Sequence, residues 1–193
     1  WGSPDHGGDS SAVQEKLSGS QQVKQISSTT LAFAAALEGG GVVTWGFASY
    51  GGDSSVVEEK LTSNQQIKDI YSTGGAFAAV LEEGGVVTWG LAACGGDSSA
   101  VQEKLSGKQL QHMYSNFNAF AAVLEGGGVV TWGHPVAGGD SSAVQEKLSG
   151  KEKVKKIYSN DYAFVALLED GSVVTWGVNS RGGNSEAVQK QLT

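Results

Sequence analysis

Apolar residues in this chain follow two short patterns. The segments "QVKQIS", "QIKDIYS", "QLQHMYS" and "KVKKIYS" set single apolar residues among polar ones. Each is followed by "AFAAAL" or a close variant, in which Phe77, Ala79 and Leu81 alternate with Ala78 and Val80. That alternation suits a strand buried on both faces. A third segment, "VVTW", joins β-branched residues to a tryptophan, all with strong strand preference. The glycine-bearing link between the second and third segments reads as a hairpin, most clearly at Asp170-Gly171. Each unit thus predicts three strands of an antiparallel sheet, with room for a fourth.

The units recur. "WG" pairs stand at Trp1, Trp45, Trp89, Trp132 and Trp176, at steps of 44, 44, 43 and 44 residues. A fixed period of this length is the signature of stacked structural repeats. The expected fold class is all-β with short capped helices: tandem antiparallel blades of about 44 residues forming a partial β-propeller or open arc. The chain reads as a single repeat domain over 1–193, with full repeats at about 1–44, 45–88, 89–131 and 132–175 and a partial fifth at 176–193. In a closed ring of four blades, residues 178–192 would seek the place already filled by residues 3–17. The half-copy therefore predicts an open arc or about four blades of a larger ring, and either way the ends want neighbours.

Between repeats lies "GGDSSAVQEKL" or a variant. Its glycines permit backbone angles closed to other residues, and Asp or Ser after them is suited to cap a helix. Ser11 with Gln14, Ser55 with Glu58, Ser99 with Gln102 and Ser142 with Gln145 have capping-box spacing. Val13 and Leu17 then share one helical face, as do Val57 and Leu61. A calcium loop is disfavoured because the fifth copy carries Asn184 in place of Asp, which keeps a cap and loses the charge a hard cation wants. The repeated tryptophans are expected to pack between blades with their N–H groups satisfied nearby, in preference to stacking on sugar rings.

Segments such as "KKIYSNDYAFVALLEDGSVVTWG" (155–177) resemble the repeat of the regulator of chromosome condensation family, in which an apolar strand, a turn, a second strand, a "D-G-x-V" hairpin and a closing "W-G" follow in that order. The likeness runs through all four complete copies. It departs from the family in the turn before the second strand, which commonly carries histidine and here holds Leu31, Gly75, Asn118 or Tyr162. It departs again after "WG", and the repeat is shorter. The resemblance implies a β-propeller used for protein binding and, in some members, for guanine nucleotide exchange on a small GTPase. No exchange-active residue has a matching position.

Composition narrows function further. A formal charge of −7 disfavours a nucleic-acid backbone as partner, and the basic run Lys151–Lys156 reads as a solvated strand edge. Cys94 is the single cysteine, so the fold rests on packing, which suits an intracellular or organellar reducing compartment. No apolar run reaches the ~18–20 residues that span a bilayer. The chain opens at Trp1 without an initiator methionine and reads as part of a longer product. His6, His112 and His134 share no zinc-site spacing and Cys94 has no evident base, so no catalytic residue, metal ligand or cofactor is expected.

Two windows per repeat escape copying. The first follows "WG": 3–6, 47–50, 91–94, 134–137 and 178–181. The second precedes "AF": Thr30-Leu31, Gly74-Gly75, Phe117-Asn118 and Asp161-Tyr162. With antiparallel strands, both windows fall on one rim while the near-constant "EGG" hairpins occupy the other. Variable loops on a copied scaffold are where repeat proteins place recognition. Phe47, Tyr50, Leu91, Phe117, His134, Pro135, Val136 and Tyr162 are the candidate partner-binding residues. The expected function is a non-catalytic protein-interaction or scaffold module, an accessory part of a larger assembly. The alternatives are a carbohydrate-binding propeller and, below it, a nucleotide exchange factor.

Overall fold

The computed structural model describes residues 2–19, 21–62 and 66–191; Trp1, the first of the "WG" pairs, and Leu192, near the end of the half-copy, lie outside that range. Four three-stranded antiparallel sheets follow one another. Blade 1 holds β1 (Val23–Ser28), β2 (Ala32–Leu37) and β3 (Val42–Gly46), and blade 2 holds β4 (Ile67–Ser72), β5 (Ala76–Leu81) and β6 (Val86–Gly90). Blade 3 holds β7 (Leu110–Ser115), β8 (Ala119–Leu124) and β9 (Val129–Gly133). Blade 4 holds β10 (Val154–Asn160), β11 (Ala163–Leu168) and β12 (Val173–Gly177). The strands fall where the apolar segments predict, and the sheets have three strands each.

The middle strand of each blade explains the small-residue alternation. Its alanine face lies against the preceding strand set of the next blade, and its phenylalanine face looks the other way. Ala32, Ala34 and Ala36 of blade 1 thus form one buried cluster with Ile67, Ile70, Phe77, Ala79 and Trp89 of blade 2. Equivalent clusters join blade 2 to blade 3 and blade 3 to blade 4. Alanine keeps the sheets close, and the bulk on the facing side fills the gap. The core therefore lies between blades, so no blade completes its packing alone.

First strands face the axis of the arc and touch each other. Gln25 Nε2 donates to the Ile70 carbonyl and Gln25 Oε1 accepts from the Ile70 N–H, each at 2.8 Å. Ser159 Oγ donates to the Ser115 carbonyl at 2.9 Å. Among the described residues no hydrogen bond joins β1 to β10, so the four blades make an open arc, the partial propeller that the repeats predict.

The connecting segments depart from the capping-box expectation. In the four complete copies none of the described helical turns has a side-chain cap bond, and most of the "SAVQEKL" stretch is 3-10 helix, with single α turns α1 (Gln14–Leu17) and α2 (Gln102–Leu105). The aspartate supplies the turn instead. Asp53 Oδ1 accepts from the Ser55 N–H at 2.9 Å, with the same bond at Asp9, Asp97 and Asp140. Asn184 makes it too, to the Glu186 N–H at 2.8 Å. The next serine turns away to the sheet, where Ser54, Ser98, Ser141 and Ser185 meet Thr44, Thr88, Thr131 and Thr175 of the third strands. Gln145 Nε2 also donates to the Val129 carbonyl at 3.2 Å. The segment thereby covers the outer edge where a fourth strand would lie.

Candidate interaction rim

The first glycine of each "GG" is a geometric requirement. Gly51 sits at φ +94°, and a Cβ there would come within 2.5 Å of the Phe77 ring. That closeness lets the Gly51 carbonyl accept from Trp89 Nε1 at 3.1 Å, while the Trp89 ring stacks on Phe77 with centroids 5.2 Å apart. The arrangement recurs at Trp45 with Gly7, Trp132 with Gly95 and Trp176 with Gly138. Trp89, Trp132 and Trp176 are buried, so the tryptophans serve packing between blades. A sugar-stacking role is closed to those three.

One side chain per blade ties the two variable windows together. Asn116, buried at the end of β7, accepts at Oδ1 from the Asn118 and Ala119 N–H groups, both at 2.8 Å. Its Nδ2 donates to the Ala137 carbonyl at 2.7 Å, at the end of the window that follows β9. Asn160 brackets Ala163 and Arg181 in the same way. In the first two blades threonine does this work: Thr73 Oγ1 accepts from the Ala76 N–H and donates to the Cys94 carbonyl, and Thr29 joins Ala32 to Tyr50. Backbone bonds reinforce the join, from the Phe47, Leu91, His134 and Val178 N–H groups to the carbonyls of Leu31, Gly75, Asn118 and Tyr162. Sequence reasoning missed this bracket. Its signal was a polar residue holding donor and acceptor three positions before the "A" of every "AF".

Both windows of every blade therefore lie at the same end of the sheets. Near the axis, residues 28–30, 73–74, 115–117 and 159–161 from all four blades surround an open depression of about 480 Å³. Phe117, 50 % exposed, lies across the backbone of Gly74, where a Cβ would meet its ring at 2.6 Å. The Gly74 N–H donates to the Phe117 carbonyl at 2.8 Å.

The other predicted residues divide by depth. Phe47 and Val136 stand out at 43 % and 62 % exposure, and His134 and Pro135 are exposed beside Val136. Tyr162 is exposed and carries the Arg181 guanidinium 5.0 Å above its ring. Tyr50 and Leu91 are half-buried and lean on the interblade clusters, with the Phe47 and Tyr50 rings edge to face at 5.7 Å.

The rim carries little charge. Its windows hold Asp5, Asp161 and Arg181, whereas the opposite hairpins hold Glu38, Glu82, Glu83, Glu125, Glu169 and Asp170 and no base. The hairpins at the far side carry acids throughout, one of them, Glu82, 3.7 Å from Lys24 Nζ. The turn aspartates Asp9, Asp53, Asp97 and Asp140 are held below the ordinary carboxylate range, chiefly by the backbone N–H of the serine two residues on. Burial pushes the Cys94 thiol up, the reverse of an activated nucleophile. Among the described residues no three His, Cys, Asp or Glu side chains group as metal ligands. No helix among them is long and apolar enough to cross a membrane.

Known proteins agree with this architecture. The Regulator of chromosome condensation (RCC1) repeat matches residues 154–182. That match covers one repeat, and the other copies share its order of segments. No curated protein matches the chain. Prp20p from Saccharomyces cerevisiae, solved in work on its binding to Gsp1p and histones, superposes with a TM-score of 0.59 at 19 % identity, over 86 % of this chain and 46 % of its own. Human WBSCR16 gives 0.53 at 17 % identity, over 84 % and 49 %, and the receptor kinase CR4 ectodomain from Physcomitrella patens gives 0.51 at 15 %, over 81 % and 39 %. The chain spans about half or less of these structures.

Proposed function

We propose that this protein is an interaction module that grips a protein partner with the window rim, as a scaffold or accessory part of a larger assembly. One observation carries the reading: the residues that escape copying converge on one rim, and the copied ones build its support. Exposed aromatic and aliphatic side chains on a surface of low charge suit a protein contact, since interface centres are depleted in charge and enriched in aromatics. The binding of Prp20p to Gsp1p and histones supports protein recognition as a use of this fold. Phe117, Tyr162, Phe47 and the 134–136 turn are the proposed contacts, with Tyr50 and Leu91 holding them from beneath.

The test is affinity capture with the wild-type chain beside a Phe117→Ala/Tyr162→Ala double variant. Both side chains are substantially exposed, so the variant keeps the fold. Partners held by the wild type and released by the variant are the expected result. Full retention of every partner by the variant refutes the rim.

A further inference from the structure

The bonding of the turns near the axis leaves the depression between them rich in acceptors. Thr30 Oγ1 donates to the Gly74 carbonyl at 2.8 Å, and Ser159 Oγ donates to the Ser115 carbonyl at 2.9 Å. Both residues are exposed, and with its proton committed each hydroxyl has only lone pairs left to offer. Thr73 and Asn116 also line the depression, but their donors are spent on the window brackets. Asp161 is the one ionised side chain on the wall, and no base lies there. The ion pairs among the described residues, Lys24 with Glu82 and Lys151 with Glu146, leave Asp161 out. Arg181, the one lysine or arginine in the windows, lies over the Tyr162 ring instead.

Phe117 adds an aromatic wall. The tip of its ring overlies Gly74, which has no Cβ to push it away, and the rest of the side chain stays open. The bond from the Gly74 N–H to the Phe117 carbonyl fixes this turn. Asn160 Oδ1 fixes the turn that carries Asp161, accepting from the Tyr162 and Ala163 N–H groups at 3.0 and 2.9 Å. Ring and carboxylate thus stand on anchored backbone before anything binds, which lowers the ordering cost of an interface. Gly74, Phe117 and Asp161 belong to blades 2, 3 and 4, which are joined by clusters formed within the chain.

We infer that the protein partner places an arginine side chain in this depression, its guanidinium on the Phe117 ring with the Asp161 carboxylate as acceptor. This rests on the rim as the binding surface and specifies what the rim takes. A guanidinium carries five donors and no acceptor, which matches a wall of carboxylate and hydroxyl oxygens. It is planar and weakly hydrated, so it stacks on an aromatic face at small desolvation cost. The rim already holds that pairing once, where Arg181 lies 5.0 Å above the Tyr162 ring. A bare divalent cation fits poorly: calcium takes about six to eight oxygen ligands, and the wall offers a single carboxylate. The net charge of −7 also favours approach of a basic segment.

Nuclear magnetic resonance of the isotope-labelled chain tests this with arginine capped at both ends, titrated to millimolar concentration. Amide shifts confined to residues 73–74, 115–117 and 159–162 are expected. Capped citrulline, nearly the same shape without the charge, should leave those amides in place. Asp161→Asn and Phe117→Leu, both at exposed positions that the fold does not depend on, should each weaken arginine binding roughly two- to fivefold. No shift at these amides, equal shifts with citrulline, or binding unchanged in Asp161→Asn overturns the inference. Capped lysine binding as tightly as arginine overturns the choice of a guanidinium. Affinity capture separates this inference from the rim itself. A partner weakened by Asp161→Asn and by Phe117→Ala/Tyr162→Ala supports both. A partner released only by the double variant keeps the rim and overturns the arginine, and one held by every variant overturns both.

Discussion

Asn116 is the sharpest place to test how the scaffold holds its variable windows. Asn116→Ala removes one donor and one doubly used acceptor, breaking the bonds to Ala137, Asn118 and Ala119 together. Asn116 is 8 % exposed and Ala137 3 %, so water does not freely replace them. At about 0.5–1.5 kcal/mol net per bond, with a further penalty for a stranded buried carbonyl, the loss comes to roughly 2–4 kcal/mol. For a chain of this size that lowers the thermal midpoint by on the order of 10 °C. Asn116→Thr is the internal control, because Thr73 does the same work one blade earlier with bonds of 3.0 and 2.9 Å. The threonine variant should lie within about 1 kcal/mol of wild type. Urea unfolding followed by tryptophan fluorescence measures the stability, and hydrogen exchange at residues 117–119 and 134–138 reports the local loosening. Alanine as well tolerated as threonine, or faster exchange spread evenly over all blades, refutes the bracket.

Further expectations concern the interblade contacts and acid behaviour. Gly51→Ala, strained by its backbone and driven into the Phe77 ring, should destabilise by roughly 2–5 kcal/mol, while Gly182→Ala, with no ring against it, should lose only the backbone share of about 1–2 kcal/mol, both read by urea unfolding. Phe77→Ala, at a fully buried position, should lower stability by about 3–5 kcal/mol, and Phe33→Ala, half-buried on the open face, by clearly less in the same assay. The turn aspartates have folded pKa values below their unfolded ones. Their stabilisation is therefore present above the ordinary carboxylate pKa of about 3.9 and lost as pH falls below it through the folded values. Asp97→Asn should be near neutral at pH 7, as Asn184 keeps the same bond, and should flatten the fall of the urea midpoint below pH 4; an undiminished fall counts against the assignment.

Much of this protein is legible in its sequence. Periodicity places every strand, because a two-residue alternation with a buried partner on each face admits little else. The copying of "GG" and "WG" marks contacts that cannot vary, and the two uncopied windows mark positions that the scaffold leaves alone. Antiparallel connection alone then puts both windows on one side. The rest depends on contacts between segments far apart in the chain. "GGDSS" carries a capping-box spacing, yet the serine assigned to the cap bonds the aspartate two residues back, and its neighbour bonds a threonine ten residues back, because the outer sheet edge needs cover more than a short turn needs a side-chain cap. Asn116 and Thr73 share a place in the repeat, three residues before "AF", but that each bonds the carbonyl ending the other window is seen only once the strands are folded. Ile26 and Ile70 read identically in the repeat, yet one is open and the other buried. Local pattern sets which face of a strand is apolar, but whether that face is covered depends on a neighbouring blade, and only the assembled arc decides that.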